Sequence, residues 1–105
     1  MAEWSSRHLY NEENVARLVP VVGGVYRLIF QRTSDDKYIV FYVGKSENLE
    51  RRLREHLSPS ERDECIKRYL RDYTCYFRFI KIDSEDERDR VEEEQIGKYN
   101  PECNA

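Results

Sequence analysis

Two short apolar runs set the frame of this chain. Val25-Tyr26-Arg27-Leu28-Ile29-Phe30 and Lys37-Tyr38-Ile39-Val40-Phe41-Tyr42-Val43 are rich in β-branched and aromatic residues, and the polar stretch Thr33-Ser34-Asp35-Asp36 lies between them. Together they predict a β-hairpin. Downstream the period changes: Leu49, Leu53 and Leu57 recur at i, i+4 and i+8, which predicts a helix capped by Ser46 and ended by Ser58-Pro59-Ser60. A second helix is expected over Glu61–Arg71, and residues 73–82 read as a third strand. Ser84-Glu85-Asp86-Glu87 is a capping box that opens a last helix running to about Tyr99. Ahead of the hairpin, a short helix over Asn11–Leu18 is stopped by Pro20, and residues 1–22 read as an appendage to a domain over 23–105.

Two strands joined by a tight turn must be antiparallel, so the order ββααβα predicts an α+β fold: a small three-stranded antiparallel or mixed sheet flanked by helices. A chain of 105 residues is expected to hold one core and therefore one site. It has no run of eighteen apolar residues, and Met1–Arg7 lacks the apolar stretch of a signal peptide, so the expectation is a cytoplasmic protein without membrane contact. Cys65, Cys75 and Cys103 are odd in number and widely spaced. They read as reduced thiols rather than as a disulfide framework or a metal knuckle.

The net charge of −3 is unevenly spread. Residues 1–44 carry five bases and five acids, residues 45–71 eight and six, and residues 72–105 five and ten, so only the middle segment is basic. That balance argues against a nucleic-acid coat protein but allows an enzyme with a local basic groove.

Gly24-Val25-Tyr26 opens the first strand and Tyr42-Val43-Gly44 closes the second, so a hairpin can bring Tyr26 near Tyr42 while Gly44 lets the backbone turn into the next helix. In that helix Arg52 and His56 are i, i+4 neighbours beside the leucine stripe, whereas Arg51 and Arg54 point elsewhere. In the last helix, at about 100° per residue, Val91, Gln95, Tyr99, Glu92 and Ile96 share one arc. Glu92 therefore lies within an apolar arc, where a carboxylate must be paired, metal-bound or neutralised. Glu93 and Glu94 fall outside it.

With these positions in place, the chain resembles the GIY-YIG nuclease superfamily. The likeness runs from Gly24 to Asn104 through Gly24-Val25-Tyr26, Tyr42-Val43-Gly44-Lys45, Asn48-Leu49-x-x-Arg52-Leu53, Glu92 four before Ile96, and Pro101-x-x-Asn104. It departs from the family's pattern in carrying valine for isoleucine in both signatures and Cys103 where an aromatic is common.

The resemblance implies a metal-dependent endonuclease acting on DNA, with RNA left open. Tyr26 and Tyr42 fall on the signature tyrosines, Arg52 on the catalytic arginine, Glu92 on the ligand of one Mg²⁺ or Mn²⁺, and Asn104 on a terminal polar residue near the site. Lys45 and His56 match positions used in some branches. Lys45, Arg51, Arg54 and Asn104 are the expected substrate contacts, and a partner protein or self-association would supply substrate choice. The competing reading is a catalytically idle interaction module that keeps the fold. Intact Tyr26, Tyr42, Arg52 and Glu92 argue against it.

Overall fold

The computed structural model describes residues 3–105, so Met1 and Ala2 of the stretch read for a leader lie outside it. In chain order the elements are strand β1 (His8–Leu9), helix α1 (Glu12–Leu18), strands β2 (Gly24–Gln31) and β3 (Tyr38–Ser46), helices α2 (Leu49–His56) and α3 (Glu64–Asp72), strand β4 (Cys75–Lys81), helix α4 (Glu85–Tyr99) and a 3-10 turn (Glu102–Asn104). The sheet order is β1-β4-β2-β3, every pair antiparallel. The α+β class holds, with four strands where three were expected. No helix among the described residues is long and apolar enough to cross a membrane.

Strand β2 lies between β4 and β3, which explains why seven of its eight residues are buried. Its side chains alternate. Tyr26, Leu28 and Phe30 face a core built with Leu49, Leu53, Ile66, Tyr69 and Phe77, under α1, α2 and α3. Val25 faces the other way and joins Val43, Ile80 and Ile82, covered by Val91 and Ile96 of α4. Between Leu28 and Ile29 the register with β3 shifts by one residue, because Leu28 pairs with Tyr42 and Ile29 with Val40. Phe41 is the extra residue of this bulge, and its ring stacks on Tyr69 with centroids 4.6 Å apart.

Several boundaries differ from those expected. Ser46 is not the cap of α2; it is the last residue of β3, paired with Gly24, and Asn48 caps instead by accepting from Arg51 N. The sheet ladder outcompetes the cap for Ser46. Helix α3 starts at Glu64 rather than Glu61, since Asp63 accepts from Ile66 N at 3.1 Å and so sets the first turn. Only one arm of the predicted capping box forms at α4: Ser84 Oγ accepts from Glu87 N at 3.3 Å, while the Glu87 carboxylate pairs with Arg90.

Residues from His8 to Val19 pack onto the sheet and the main core. His8 and Leu9 add a strand to the free edge of β4, and Val15 and Tyr10 are buried in the main core. The Tyr10 hydroxyl donates to Leu53 O at 2.5 Å, which ties this segment to the back of α2.

The cysteines also require a correction. Cys65 of α3 and Cys103 of the terminal turn form a disulfide, with Cα atoms 5.5 Å apart, and only Cys75 is a free thiol, buried and pushed up to about 12 by desolvation. Thirty-eight residues separate the two in sequence, so nothing local announced the pairing. Arg68 and Tyr69 of α3 both bind Glu102, so three contacts fasten the terminal turn to α3.

Gly44 stands opposite Tyr26 in the ladder, and a Cβ built on it would overlap the Tyr26 ring carbon Cζ and hydroxyl. Gly44→Ala should therefore cost about 1–3 kcal/mol by forcing the phenol out of its place, read as a lower Tm. Reduction of Cys65–Cys103 should release a constraint worth about 4 kcal/mol on loop-closure grounds, for the separation of 38 residues. Thermal melts with and without a dithiol reductant check this, and an unchanged Tm would remove the disulfide from the list of stabilising contacts.

Candidate active site

Strand β3 is an edge of the sheet, and the candidate side chains reach it from both faces. From the α2 face come Tyr26, Tyr42, Arg52 and His56. Tyr26 and Tyr42 have ring centroids 6.1 Å apart, and His56 lies 5.7 Å from the first and 5.6 Å from the second. Tyr26 is 1% exposed and its hydroxyl is 2.7 Å from His56 Nε2. The other ring nitrogen, Nδ1, is 2.6 Å from Glu61 Oε2. Burial raises the pKa of Tyr26 and, less strongly, that of the half-buried Tyr42; the Arg52 guanidinium opposes the rise in both.

Arg52 occupies the helical turn before His56 and is partly exposed. Its Nη1 lies 3.4 Å from Glu55 Oε1 and 4.0 Å from Glu61 Oε2. Partial desolvation lowers its pKa, but the facing Tyr26, Glu61 and Tyr42 outweigh that and raise it, so the guanidinium stays charged. Arg51 and Arg54 stand on the solvated side of α2 as expected, where Arg51 faces Glu47 and Glu55 and Arg54 pairs with Glu50.

From the opposite face come Lys45 and Glu92. Lys45 pairs with Val25 in the ladder, so it shares the α4 side of the sheet, where it binds Asp89 and stands 3.7 Å from Glu92 Oε1. The predicted arc does face the sheet: Val91, Glu92, Gln95, Ile96 and Tyr99 are half-buried, and Glu93 and Glu94 are exposed. No residue of α4 is fully buried, however, so Glu92 sits at a rim with its side chain 21% exposed rather than in an apolar interior. Desolvation still raises its carboxyl pKa, with Lys45 opposing. Its negative charge reaches Tyr42, whose pKa it also raises, so Tyr42 senses both halves of the site.

Arg27 fixes α4 at this height. Buried on β2, it donates from Nε to Gln95 Oε1 at 2.7 Å and lies 3.8 Å from the Trp4 ring centroid. Gln95 is three residues from Glu92, so this bond holds that turn of α4 against the sheet. Asn104 does a comparable job on β3. Its Oδ1 accepts from Val43 N at 2.8 Å and its Nδ2 donates to Val43 O at 2.9 Å. Both polar ends of Asn104 are thus spent on the edge backbone beside Gly44.

Two residues escaped the sequence reading. The sequence puts Glu61 at the start of the second helix, yet it sits in the loop before α3 with its carboxylate against His56 Nδ1, because Asp63 sets the first turn of that helix; a glutamate five residues after a histidine carries no motif. Arg62 joins Arg52, Glu55, Ser60 and Glu61 around a shallow pocket of about 310 Å³ on the outer side of Arg52. Ser58-Pro59-Ser60 had marked only a helix end.

A family profile described as the UvrC-like GIY-YIG domain matches residues 22–105. Among solved structures, the GIY-YIG N-terminal endonuclease domain of UvrC from Thermotoga maritima, bound to its catalytic divalent cation magnesium, is 28% identical with a TM-score of 0.66, covering 89% of this chain and 93% of that one. A tyrosine-to-phenylalanine point mutant of the same domain, also bound to its catalytic divalent cation, is 27% identical with the same TM-score and coverage. No curated protein matches. The matched span contains both strand signatures, Arg52, Glu92 and Asn104, and this chain belongs to the UvrC-like GIY-YIG domain family.

Proposed function

We propose that this protein is a metal-dependent endonuclease that hydrolyses DNA phosphodiester bonds, serving repair, recombination or restriction in the cytoplasm. The observation that carries the reading is the Tyr26 hydroxyl 2.7 Å from His56 Nε2, beside a Tyr42 phenol that feels the charges of both Arg52 and Glu92. Phosphodiester hydrolysis needs a proton acceptor for water, cationic donors for the phosphoryl oxygens and a charge near the leaving group. The site offers a residue for each.

Glu92 would hold one Mg²⁺ or Mn²⁺. Its surroundings suit an oxygen-liganded ion that keeps several waters: burial disfavours the bare carboxylate, and Lys45 at 3.7 Å only partly offsets this. Among the described residues no three acidic, histidine or cysteine side chains cluster as a closed metal cage, so water and phosphate oxygens must complete the set. When bound, such an ion supplies charge stabilisation to the scissile phosphate and the leaving oxygen.

Arg52 presents a planar fork to the phosphate from the other side of β3. Its pairs with Glu55 and Glu61 are long and partly exposed, and therefore weak enough to yield to a phosphate. Lys45 would turn from Asp89 toward the same phosphate, with Arg51 and Arg54 as outlying backbone contacts. Asn104 would act on substrate through the β3 backbone it braces. Tyrosine is protonated near neutrality, and His56 gives it somewhere to pass its proton.

Arg52→Ala and Glu92→Ala should each lower cleavage by at least about 10²-fold, by analogy with loss of one preorganised donor. Tm should hold or rise for Glu92→Ala, because a partly desolvated carboxylate is removed. A cleavage assay on plasmid, single-stranded, flapped and branched DNA with Mg²⁺ or Mn²⁺ tests the reading, and activity should vanish in chelator with the melting curve unchanged. Full cleavage by either variant would overturn the assigned roles.

Binding to plain duplex should be weak. Arg51, Arg54, Arg68 and Arg71 each stand beside a carboxylate, which blunts the basic segment. With four or five phosphates neutralised, the log–log salt slope should be roughly −4. Fluorescence anisotropy of Glu92→Ala on duplex and branched DNA across salt concentrations measures it. Substrate choice would then come from a partner protein, self-association or a distorted substrate, and nanomolar, salt-insensitive binding to duplex would contradict this.

A further inference from the structure

Glu61 belongs to no motif and is nearly buried, with its side chain 6% exposed. Its loop is closed by a bond from Glu61 N to Ser58 O at 3.0 Å, and Glu61 Oε1 accepts from Asp63 N, also at 3.0 Å. Asp63 in turn caps α3. The carboxylate is therefore held by the start of α3 with its second oxygen 2.6 Å from His56 Nδ1. The His56 side chain is 0% exposed, so neither ring nitrogen can turn to water.

A carboxylate only accepts hydrogen bonds, so Nδ1 must carry a proton. A neutral imidazole carries one proton, which leaves Nε2 with a lone pair, and the Tyr26 hydroxyl must then be the donor across the 2.7 Å contact. We infer that Glu61 is a positioning residue that holds His56 in the tautomer whose Nε2 accepts from Tyr26, and so makes Tyr26 the tyrosine through which the proton leaves the site. The inference rests on the nuclease reading and deepens it. Tyr42 meets His56 only ring to ring, in a T-shaped contact.

The charge balance around His56 agrees with this. Desolvation and then the Arg52 guanidinium lower its pKa, while Glu61 and Asp63 raise it, with the lowering effects dominant, so the ring is neutral near neutrality. Burial raises the pKa of Glu61, but the Asp63 amide, His56 and Arg52 together bring it below the ordinary value and keep it ionised.

In the proposed step, the oxygen of water bonds to phosphorus as the bond from phosphorus to the leaving oxygen breaks. Tyr26 takes up one water proton as it passes its own to Nε2; the resulting imidazolium pairs with Glu61 and, after the product has left, returns the proton through the Tyr26 hydroxyl to water refilling the site. The leaving oxygen takes a proton from solvent. The water is consumed and no redox partner is needed.

The test combines a pH–rate profile with ring nitrogen-15 NMR on the full chain, for wild type, Glu61→Gln, His56→Asn and the double variant. Wild-type spectra should show the proton on Nδ1 and the lone pair on Nε2. Glu61→Gln, which keeps the shape and an acceptor oxygen, should lower kcat by about 10²-fold with KM little changed, as when the orienting carboxylate of a catalytic histidine is lost. Its acidic limb should move to lower pH, because the charge that stabilised imidazolium is gone while desolvation, Arg52 and the weaker effect of Asp63 remain. In the His56→Asn background the same substitution should add little further loss; a purely structural Glu61 would add its cost in both backgrounds. Wild-type rate and an unmoved acidic limb in Glu61→Gln, or a wild-type ring protonated on Nε2 alone, would overturn the inference and leave the nuclease reading standing. If wild type cleaves nothing in the substrate panel with Mg²⁺ or Mn²⁺, both fall together.

Discussion

The close passage of the Tyr26 phenol over Gly44 is the contact on which the rest of the site depends. The two residues are cross-strand partners, and the ring occupies the volume that any side chain at position 44 would fill. Only a residue without Cβ lets the phenol lie flat along the sheet and reach His56 on the next helix. The bond it makes there, at 2.7 Å, ends in a carboxylate fastened to the cap of α3. Sheet, second helix and third helix thus meet through one buried line of polar atoms. Among the described residues no buried side-chain polar atom lacks a partner, which is what a line of this kind requires in a low-dielectric interior.

An edge strand is an unusual place for precision, because half its backbone groups face away from the sheet. Here the chain ends supply the restraint. Asn104 occupies the outward amide and carbonyl of Val43, and its turn is tied to α3 through Cys65–Cys103 and Glu102. At the other end of the sheet, β1 covers the edge of β4, and Tyr10 binds the backbone of α2 at Leu53. Both termini therefore stiffen the elements that carry Tyr42, Arg52 and His56.

The electrostatics divide by face. The α2 side sets Arg52 among the phenols of Tyr26 and Tyr42 and the carboxylates of Glu55 and Glu61, and the α4 side sets Glu92 and Asp89 against Lys45. Arg52 and Glu92 thus stand on opposite faces of the sheet at the edge strand β3, each with its own counter-charges. The acidic first turn of α4 disfavours extended wrapping of this face by a polyanion.

The hairpin, the leucine stripe of α2, the long last helix and the family signatures were legible in the sequence, because each depends on spacing along a single element or on short motifs in fixed order. Periodicity likewise placed Glu92 on the sheet-facing arc and turned Arg51 and Arg54 to solvent. What the tertiary structure alone decided are relations between segments far apart in the chain: β1 on the edge of β4, Cys65 with Cys103, Asn104 on Val43, and Arg27 on Gln95. Asn48 replaced Ser46 as cap for a related reason, since strand pairing with Gly24 carried β3 through Ser46. Glu61 is the clearest case. The sequence reads it as the first residue of the second helix, and only the packing of α3 beside α2 turns its carboxylate inward, because in a closed interior a buried histidine must find an acceptor for its ring proton, and nothing in the local spacing says which residue will supply it.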